Sequence, residues 1–217
     1  MFKDRKEAGR QLAKALEKYP AFAKGYGGRS EAVVYALPRG GVVTGYEVAS
    51  ALGLPLDLAI ARKIGHPHNP EYAVCAVTEE GPLICDERER ALLDPAWLTE
   101  AEARERAEAR RRREAYLGGR ARPGARGKTA ILVDDGIATG LTLRAALASL
   151  KAEKPSKIIV AVPASPGAVA EQLRLEGAEV IVLTGEANYL GAVGAYYQHF
   201  PQVTDEEVIA LLSATVA

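Results

Sequence analysis

Two aspartates close an apolar run in Ala130-Ile131-Leu132-Val133-Asp134-Asp135-Gly136-Ile137-Ala138-Thr139-Gly140-Leu141-Thr142-Leu143, and a loop of small and hydroxyl residues follows. The pattern reads as a strand, a turn and a helix N-terminus. Backbone N–H groups in such a turn, together with the positive end of the helix dipole, can cradle a phosphate. Thr139 and Thr142 add hydroxyl donors. Asp134 and Asp135 offer acceptors for sugar hydroxyls, or for the waters of a bound Mg²⁺. The loop is not a Walker loop, because no Gly-Lys-Ser/Thr follows its glycines, and it lacks the dinucleotide spacing G-x-G-x-x-G. The plain alternative is a strand running into a capped helix, with Asp and Thr as turn and cap residues.

A second loop, Pro38-Arg39-Gly40-Gly41, follows the apolar run Glu31 to Leu37. Glycines without Cβ atoms let the backbone come close to an anion, and Arg39 adds charge and donors. His66 and His68 form a His-x-His pair with no third ligand in a plausible motif, so they read as loop residues rather than a metal site.

The elements that position these residues follow from periodicity and breakers. Residues 4–18 read as a helix with Ala8, Leu12, Ala15 and Tyr19 on one face. Gly25, Gly27 and Gly28 break it. Glu31–Leu37 is a strand, Val42–Leu52 a helix, and Pro55–Ala61 the next strand, ending in Arg62-Lys63. This is the unit of a parallel sheet with a right-handed crossover. Residues 64–126 interrupt it as an insertion: a loop over Gly65–Pro70, a small hairpin of Ala73–Thr78 and Pro82–Cys85, and a charged helix Thr99–Tyr116. Glu100/Arg104, Glu102/Arg106 and Glu108/Arg112 stand at i,i+4 along that helix. Strand Thr129–Asp134, helix Thr142–Glu153, strand Lys157–Val162, helix Gly167–Gly177 and strand Glu179–Leu183 resume the alternation. A tail with Tyr189, Tyr196, Tyr197, His199 and Phe200 leads to a helix from Thr204 to about Ser213, with Asp205 and Glu206 suited to its N-terminus. The expected fold is α/β: one domain over 1–217, an open parallel sheet flanked by helices, with terminal hood elements at 1–28 and 185–217.

Charge and composition exclude several classes. Twenty-eight basic residues balance 28 acidic ones, so no global basic field recruits nucleic acid. The run Arg110–Arg113 is interleaved with acids and reads as a solvated helix face. No apolar run of about 18 residues offers a membrane span, and the charged start Met1–Glu7 lacks a signal core. Cytoplasm is the expected location. Cys75 and Cys85 make no disulfide framework; they could touch in a hairpin, and free thiols are the expected state.

The segment Val133–Thr142, with its hydrophobic residues, two acids, three variable residues and Thr-Gly-x-Thr, resembles the 5-phosphoribosyl 1-pyrophosphate motif of type I phosphoribosyltransferases. The resemblance implies that Asp134 and Asp135 take the ribose hydroxyls and that Gly136, Ile137, Ala138, Thr139, Gly140, Leu141 and Thr142 form the 5′-phosphate loop. Pro38, Arg39, Gly40 and Gly41 match the pyrophosphate loop in place and composition. Arg62 and Lys63 match the basic residues that precede a closing loop, and Glu71 within that loop is a candidate proton-handling or Mg²⁺-facing carboxylate. Residues 64–100 are the expected cover, and the tail from Tyr189 to Phe200 the expected hood over the acceptor. The opening Asp4-Arg5-x-x-Ala8-Gly9, the Leu-Pro-Arg-Gly-Gly loop and Arg62-Lys63-Ile64-Gly65 are similar to a subgroup of bacterial predicted phosphoribosyltransferases whose acceptor the resemblance does not supply.

The implied function is Mg²⁺-dependent transfer of the phosphoribosyl group to a base-like nitrogen acceptor. Ala138 stands where transferases for hypoxanthine and guanine typically carry an aspartate that handles the base proton, so a 6-oxopurine is not the expected acceptor. A non-catalytic regulator sensing the same ligand, and a ribose-phosphate hydrolase or phosphorylase, remain open alternatives. So does the oligomeric state, a homodimer included.

Overall fold

The computed structural model describes residues 1–19, 22 and 31–214. Gly25, Gly27 and Gly28, the breakers expected after the first helix, lie outside them. Helix α1 (Arg5–Leu16) begins where Asp4 accepts a hydrogen bond from the Glu7 N–H at 2.8 Å, an N-cap in the sense the residue type favours. Strand β1 (Ala32–Ala36) leads into α2 (Gly40–Leu52), which stops at Gly53 in the left-handed region. The chain continues through β2 (Leu56–Leu58), β3 (Ala61–His66), β4 (Asn69–Thr78), β5 (Ile84–Cys85), the short α3 (Glu87–Arg90) and the long α4 (Pro95–Leu117). Then come β6 (Thr129–Val133), α5 (Leu141–Ala152), β7 (Lys157–Ala164), α6 (Gly167–Leu175), β8 (Glu179–Thr184), a 3-10 turn at Val193–Tyr196 and α7 (Asp205–Ala214).

Five strands form a parallel sheet in the order β2-β1-β6-β7-β8. Alternation along each strand sends side chains to two cores. Val34, Ala36, Ile131, Val133, Ile159 and Ala161 pack with α1, α2 and α7. Val33, Tyr35, Ala130, Leu132, Ile158 and Val160 pack with α5 and α6. Burial on both faces is why these strands read as unbroken apolar runs. The order reverses between β1 and β6, so the loops after those two strands open side by side at the carboxyl edge.

The insertion departs from the sequence expectation in four places. The run Pro55–Ala61 is two strands: β2 stays in the parallel sheet, and after Ala59 and Ile60 the chain joins a separate antiparallel sheet, β3-β4-β5. Both pieces are apolar, so hydropathy shows no boundary where the hydrogen-bonding partner changes. Gly65–Pro70 is the tip of the β3–β4 hairpin rather than an open loop, closed by the pair His66 and Asn69. The charged helix starts at Pro95, four residues before Thr99, because Asp94 accepts from the N–H groups of Ala96 and Trp97 and Pro95 occupies the first turn. Cys75 and Cys85 are not free thiols. They face each other across β4 and β5, Cα atoms 3.9 Å apart and side chains buried, and are joined by a disulfide. Cross-strand register put them opposite, and register is invisible in spacing alone.

The bridge closes a loop of sequence separation 10. Cys85→Ser should therefore lower unfolding free energy by about 2–3 kcal/mol in urea titration under non-reducing conditions. An unchanged midpoint would show that the antiparallel sheet does not need it.

Along α4, Arg106 pairs with Glu102 and Arg112 with Glu108, as their spacing predicts, while Arg104 lies against Glu105 instead. Arg113 is not solvated. It reaches Glu79 at 2.5 Å and Asp57 at 3.5 Å, joining α4 to the ends of β2 and β4.

Candidate active site

The loops after β1 and β6 line one wall of an open cleft of about 390 Å³ at the sheet reversal. Asp134 and Asp135 come directly after β6 and are half-buried. The Asp135 N–H donates to Asp134 Oδ1 at 2.8 Å. Burial, and then the charge of Asp135 beside it, push the Asp134 carboxyl well above the ordinary carboxylate range, while Lys63 works against that rise. A cation or a pair of sugar hydroxyls delivered to the cleft supplies what this carboxylate lacks.

Asp135 is held from behind. Arg5 Nε donates to its Oδ2 at 2.6 Å, and the Tyr197 hydroxyl donates to its backbone carbonyl at 2.6 Å. Burial raises the Tyr197 hydroxyl, and Asp135 adds to the effect, so the phenol remains a donor.

The two loops are packed on each other. A Cβ at Gly40 would fall 1.9 Å from Asp135 Oδ2, and one at Gly41 would fall 2.8 Å from Asp134 Oδ1. Only glycines let the start of α2 lie against the carboxylates. Gly140 closes the other loop with φ 78°, a left-handed conformation that glycine adopts readily, and α5 begins at the next residue. Neither α2 nor α5 has a side-chain cap. The first N–H groups of both helices therefore lack intrahelical acceptors, and a bound anion can take them. Ala138 and Thr139 are exposed and Thr142 half-buried along this cleft, while Ile137 is anchored by its N–H to the Ala164 carbonyl at 2.8 Å. The peptide bond between Pro38 and Arg39 is cis.

β3 carries Arg62 and Lys63 to the opposite wall. Arg62 is paired with Glu105 at 2.9 Å, and Lys63 is exposed. Arg39, Glu71 and the aromatic residues of the tail are placed otherwise than expected. Arg39 does not line the cleft; its guanidinium reaches Asp205 at 3.4 Å, and the Tyr116 hydroxyl donates to the same carboxylate at 2.7 Å. What the loop offers the cleft lining is Leu37 and Pro38, while Gly40 and Gly41 pack against the two aspartates. Glu71 lies on the exposed outer half of β4, outside the cleft lining, because the hairpin carries it away from the sheet edge. The tail aromatics are packed inward. Tyr196 and Tyr197 are buried in a cluster with Phe2 and Ala8, Tyr197 stacks on Phe200 at 4.7 Å, and Val193 is what the tail contributes to the cleft. No aromatic ring lines the cleft among the described residues. His66 and His68 sit at the hairpin tip, with the His68 N–H donating to His66 Nδ1 at 3.2 Å.

One cleft residue escaped the sequence reading. Arg112, in the run that reads as a solvated face, reaches the cleft from α4 while bonded to Glu108 at 2.9 Å. Nothing in the charge pattern separates it from Arg110 or Arg111; only the packing of α4 against β3 does.

Residues 4–186 match the phosphoribosyl transferase domain family. Relatives from two strains of Mycobacterium tuberculosis, provisionally named phosphoribosyl transferases, are 39% identical over 98% of this chain. The chain spans about half the length of these curated relatives, 46%. The crystal structure of TT1426 from Thermus thermophilus is 41% identical and superposes with a TM-score of 0.79, covering 100% of this chain and 99% of that one. The AQ2163 protein from Aquifex aeolicus, 13% identical with a TM-score of 0.50, covers 82% of this chain and 73% of its own and shares the fold.

Proposed function

The chain belongs to the type I phosphoribosyltransferase family, and from that premise we propose that it transfers the 5-phosphoribosyl group of 5-phosphoribosyl 1-pyrophosphate to a nitrogen acceptor. The observation that carries this reading is one cleft lined by the uncapped start of α5 and a pair of carboxylates, with the uncapped start of α2 packed against those carboxylates. That arrangement suits a molecule with two phosphate groups at its ends and hydroxyls in the middle. In this reading the start of α5, with Thr139 and Thr142, takes the 5′-phosphate. Asp134 and Asp135 take the ribose hydroxyls. The start of α2 takes the pyrophosphate, helped by Lys63 and Arg112.

A bond then forms from the acceptor nitrogen to the anomeric carbon as the bond to pyrophosphate breaks, and the electron pair leaves with pyrophosphate. The developing positive charge on the sugar resembles that in glycoside hydrolysis. Mg²⁺ fits the site: two carboxylates stand at the cleft, and Asp134 carries a burial penalty that a cation relieves. Asp134 or Asp135 would hold it through water, together with substrate oxygens, and when bound it would neutralise charge on the leaving pyrophosphate.

The test is pyrophosphate release from the activated sugar and Mg²⁺, with and without a pool of candidate bases. Release only with acceptor is the expected result. Release without acceptor would favour a hydrolase, and binding without turnover a regulator.

Residues 64–100 act in this proposal as the cover, with motion concentrated at the exposed hairpin tip, since Val74–Thr78 are buried. Amides of residues 66–72 should exchange faster than those of Ile131–Val133 in the free protein, and slow when Mg²⁺ and the activated sugar bind. Tip protection equal to the core strands before ligand is added would remove the lid role.

Ala138 is exposed within the proposed phosphate loop, and its methyl group neither donates nor accepts a proton. Hypoxanthine and guanine should therefore be poor acceptors. Turnover of either with kcat/KM on the order of 10⁴ M⁻¹s⁻¹ or above would show that Ala138 does not set this preference.

A further inference from the structure

The opening motif Asp4-Arg5-x-x-Ala8-Gly9 has no part in the chemistry described above, yet the fold spends each of its residues on the site. Asp4 caps α1. Ala8 is fully buried, and a Cβ on Gly9 would fall 2.7 Å from the Thr44 carbonyl oxygen, so α1 lies directly on α2. That packing delivers Arg5 to Asp135, 130 residues away in sequence.

We propose that Arg5 is a positioning residue for the phosphoribosyl site: its guanidinium fixes the Asp135 carboxylate in the orientation that receives the ribose hydroxyls. The inference rests on the transferase reading above.

The geometry is that of a built clamp. The Arg5 side chain is only 10% exposed and that of Asp135 15%, so their 2.6 Å contact is shielded from water. Arg5 Nη1 donates to the Pro201 carbonyl at 2.7 Å, and the guanidinium lies 3.7 Å from the centroid of the Phe200 ring. Phe200 stacks in turn on Tyr197, whose hydroxyl holds the Asp135 carbonyl. Asp135 is thus gripped at its carboxylate by the N-terminal helix and at its backbone by the C-terminal segment. The two segments are themselves joined: the Phe2 N–H donates to the Tyr196 carbonyl at 2.7 Å, and the Gln198 N–H to the Phe2 carbonyl at 2.8 Å. Gly40 completes the enclosure, since any side chain there would strike both Asp135 and Arg5. Asp134 has no such grip, so the acids of the pair are not equivalent. One is desolvated and, among the described residues, held only by the neighbouring Asp135 N–H, and the other is set in place beforehand by a planar, permanently charged group.

A double-mutant cycle separates positioning from general stability. Affinity for the activated sugar with Mg²⁺ is measured by calorimetry on the whole chain for wild type, Arg5→Met, Asp135→Asn and the double variant, with a thermal melt for each. Arg5→Met should weaken binding by about tenfold or more, and the double variant should bind no more weakly than Asp135→Asn alone, because Arg5 acts through that carboxylate. Arg5→Lys, which keeps charge and loses the fork, should recover part of the affinity, and it carries the same cycle if Arg5→Met does not melt cooperatively. Wild-type affinity in Arg5→Met, or losses that multiply in the double variant, would overturn the positioning role alone. A wild-type chain that does not bind the activated sugar would overturn the transferase reading and this inference with it.

Discussion

Asp134→Asn should lower affinity for 5-phosphoribosyl 1-pyrophosphate by about 100-fold or more and leave the melting temperature unchanged or higher. Two hydrogen bonds to a carboxylate are worth about 1.5–3 kcal/mol each, which sets the size of the binding loss. The stability effect has the opposite sign because the fold disfavours this charge. The folded Asp134 carboxyl titrates above its ordinary value of 3.8, chiefly through burial and then through Asp135. Its protonated form is therefore the one the native state prefers. The associated stability is complete below pH 3.8 and is lost as pH rises through the raised folded value. Asn does not ionise, so the melting temperature of Asp134→Asn should gain on wild type as pH rises above the ordinary carboxylate value of 3.8. Asp135→Asn should also lose the ligand, but with a lower melting temperature, since it leaves Arg5 buried without its anionic partner at a cost of about 1–3 kcal/mol. Unchanged calorimetric binding in the double variant Asp134→Asn/Asp135→Asn would remove both residues from the ribose site. Identical pH dependence of Asp134→Asn and wild type would show that Asp134 bears no burial penalty.

Gly40→Ala should disable the site through one methyl group. The added carbon would lie 1.9 Å from Asp135 Oδ2 and 2.7 Å from its Cγ, far inside contact distance. The usual relief, a rotation of the struck side chain, is blocked because Arg5 holds the carboxylate and would itself lie 2.9 Å from the new atom. Either the start of α2 or the Asp135 clamp must move. Overpacking of this kind costs about 1–3 kcal/mol. Both the pyrophosphate and the ribose contacts should suffer, so binding of the activated sugar should fall by at least about tenfold. Wild-type affinity and melting temperature in Gly40→Ala would mean that the two loops are not packed together.

The strand, turn and helix start of the loop proposed to take the 5′-phosphate were legible because everything they need is local. Asp134, Asp135, the Thr-Gly turn and the start of α5 lie within ten consecutive residues, where strand, turn and helix-start preferences act on neighbours. The order of the core strands and helices was legible for a similar reason. Strands buried on both faces must be continuously apolar, and helices covering a sheet must repeat every three to four residues. The loop proposed for pyrophosphate was legible in its glycines but not in its side chain: Gly40 and Gly41 are required by contact with the aspartates, while Arg39 follows an acidic partner, Asp205, supplied by a helix 166 residues away.

What tertiary structure decided are the contacts between residues whose separation no local rule spans. Arg5 meets Asp135 because α1 packs on α2 through Ala8 and Gly9. Cys75 meets Cys85 because an antiparallel register sets them opposite. Arg112 enters the cleft while Arg111 stays outward, a choice made by the face of α4 that lies on β3. The tyrosines of the tail fill a cluster with Phe2 and Ala8 between the two terminal segments, where their apolar surface is removed from water. Sequence determined the local chemistry of the loop proposed to take phosphate and ribose. The packing of distant elements decided which charges face the ligand and which acid is held in place for it, because burial and long-range pairing are set only when the whole core closes.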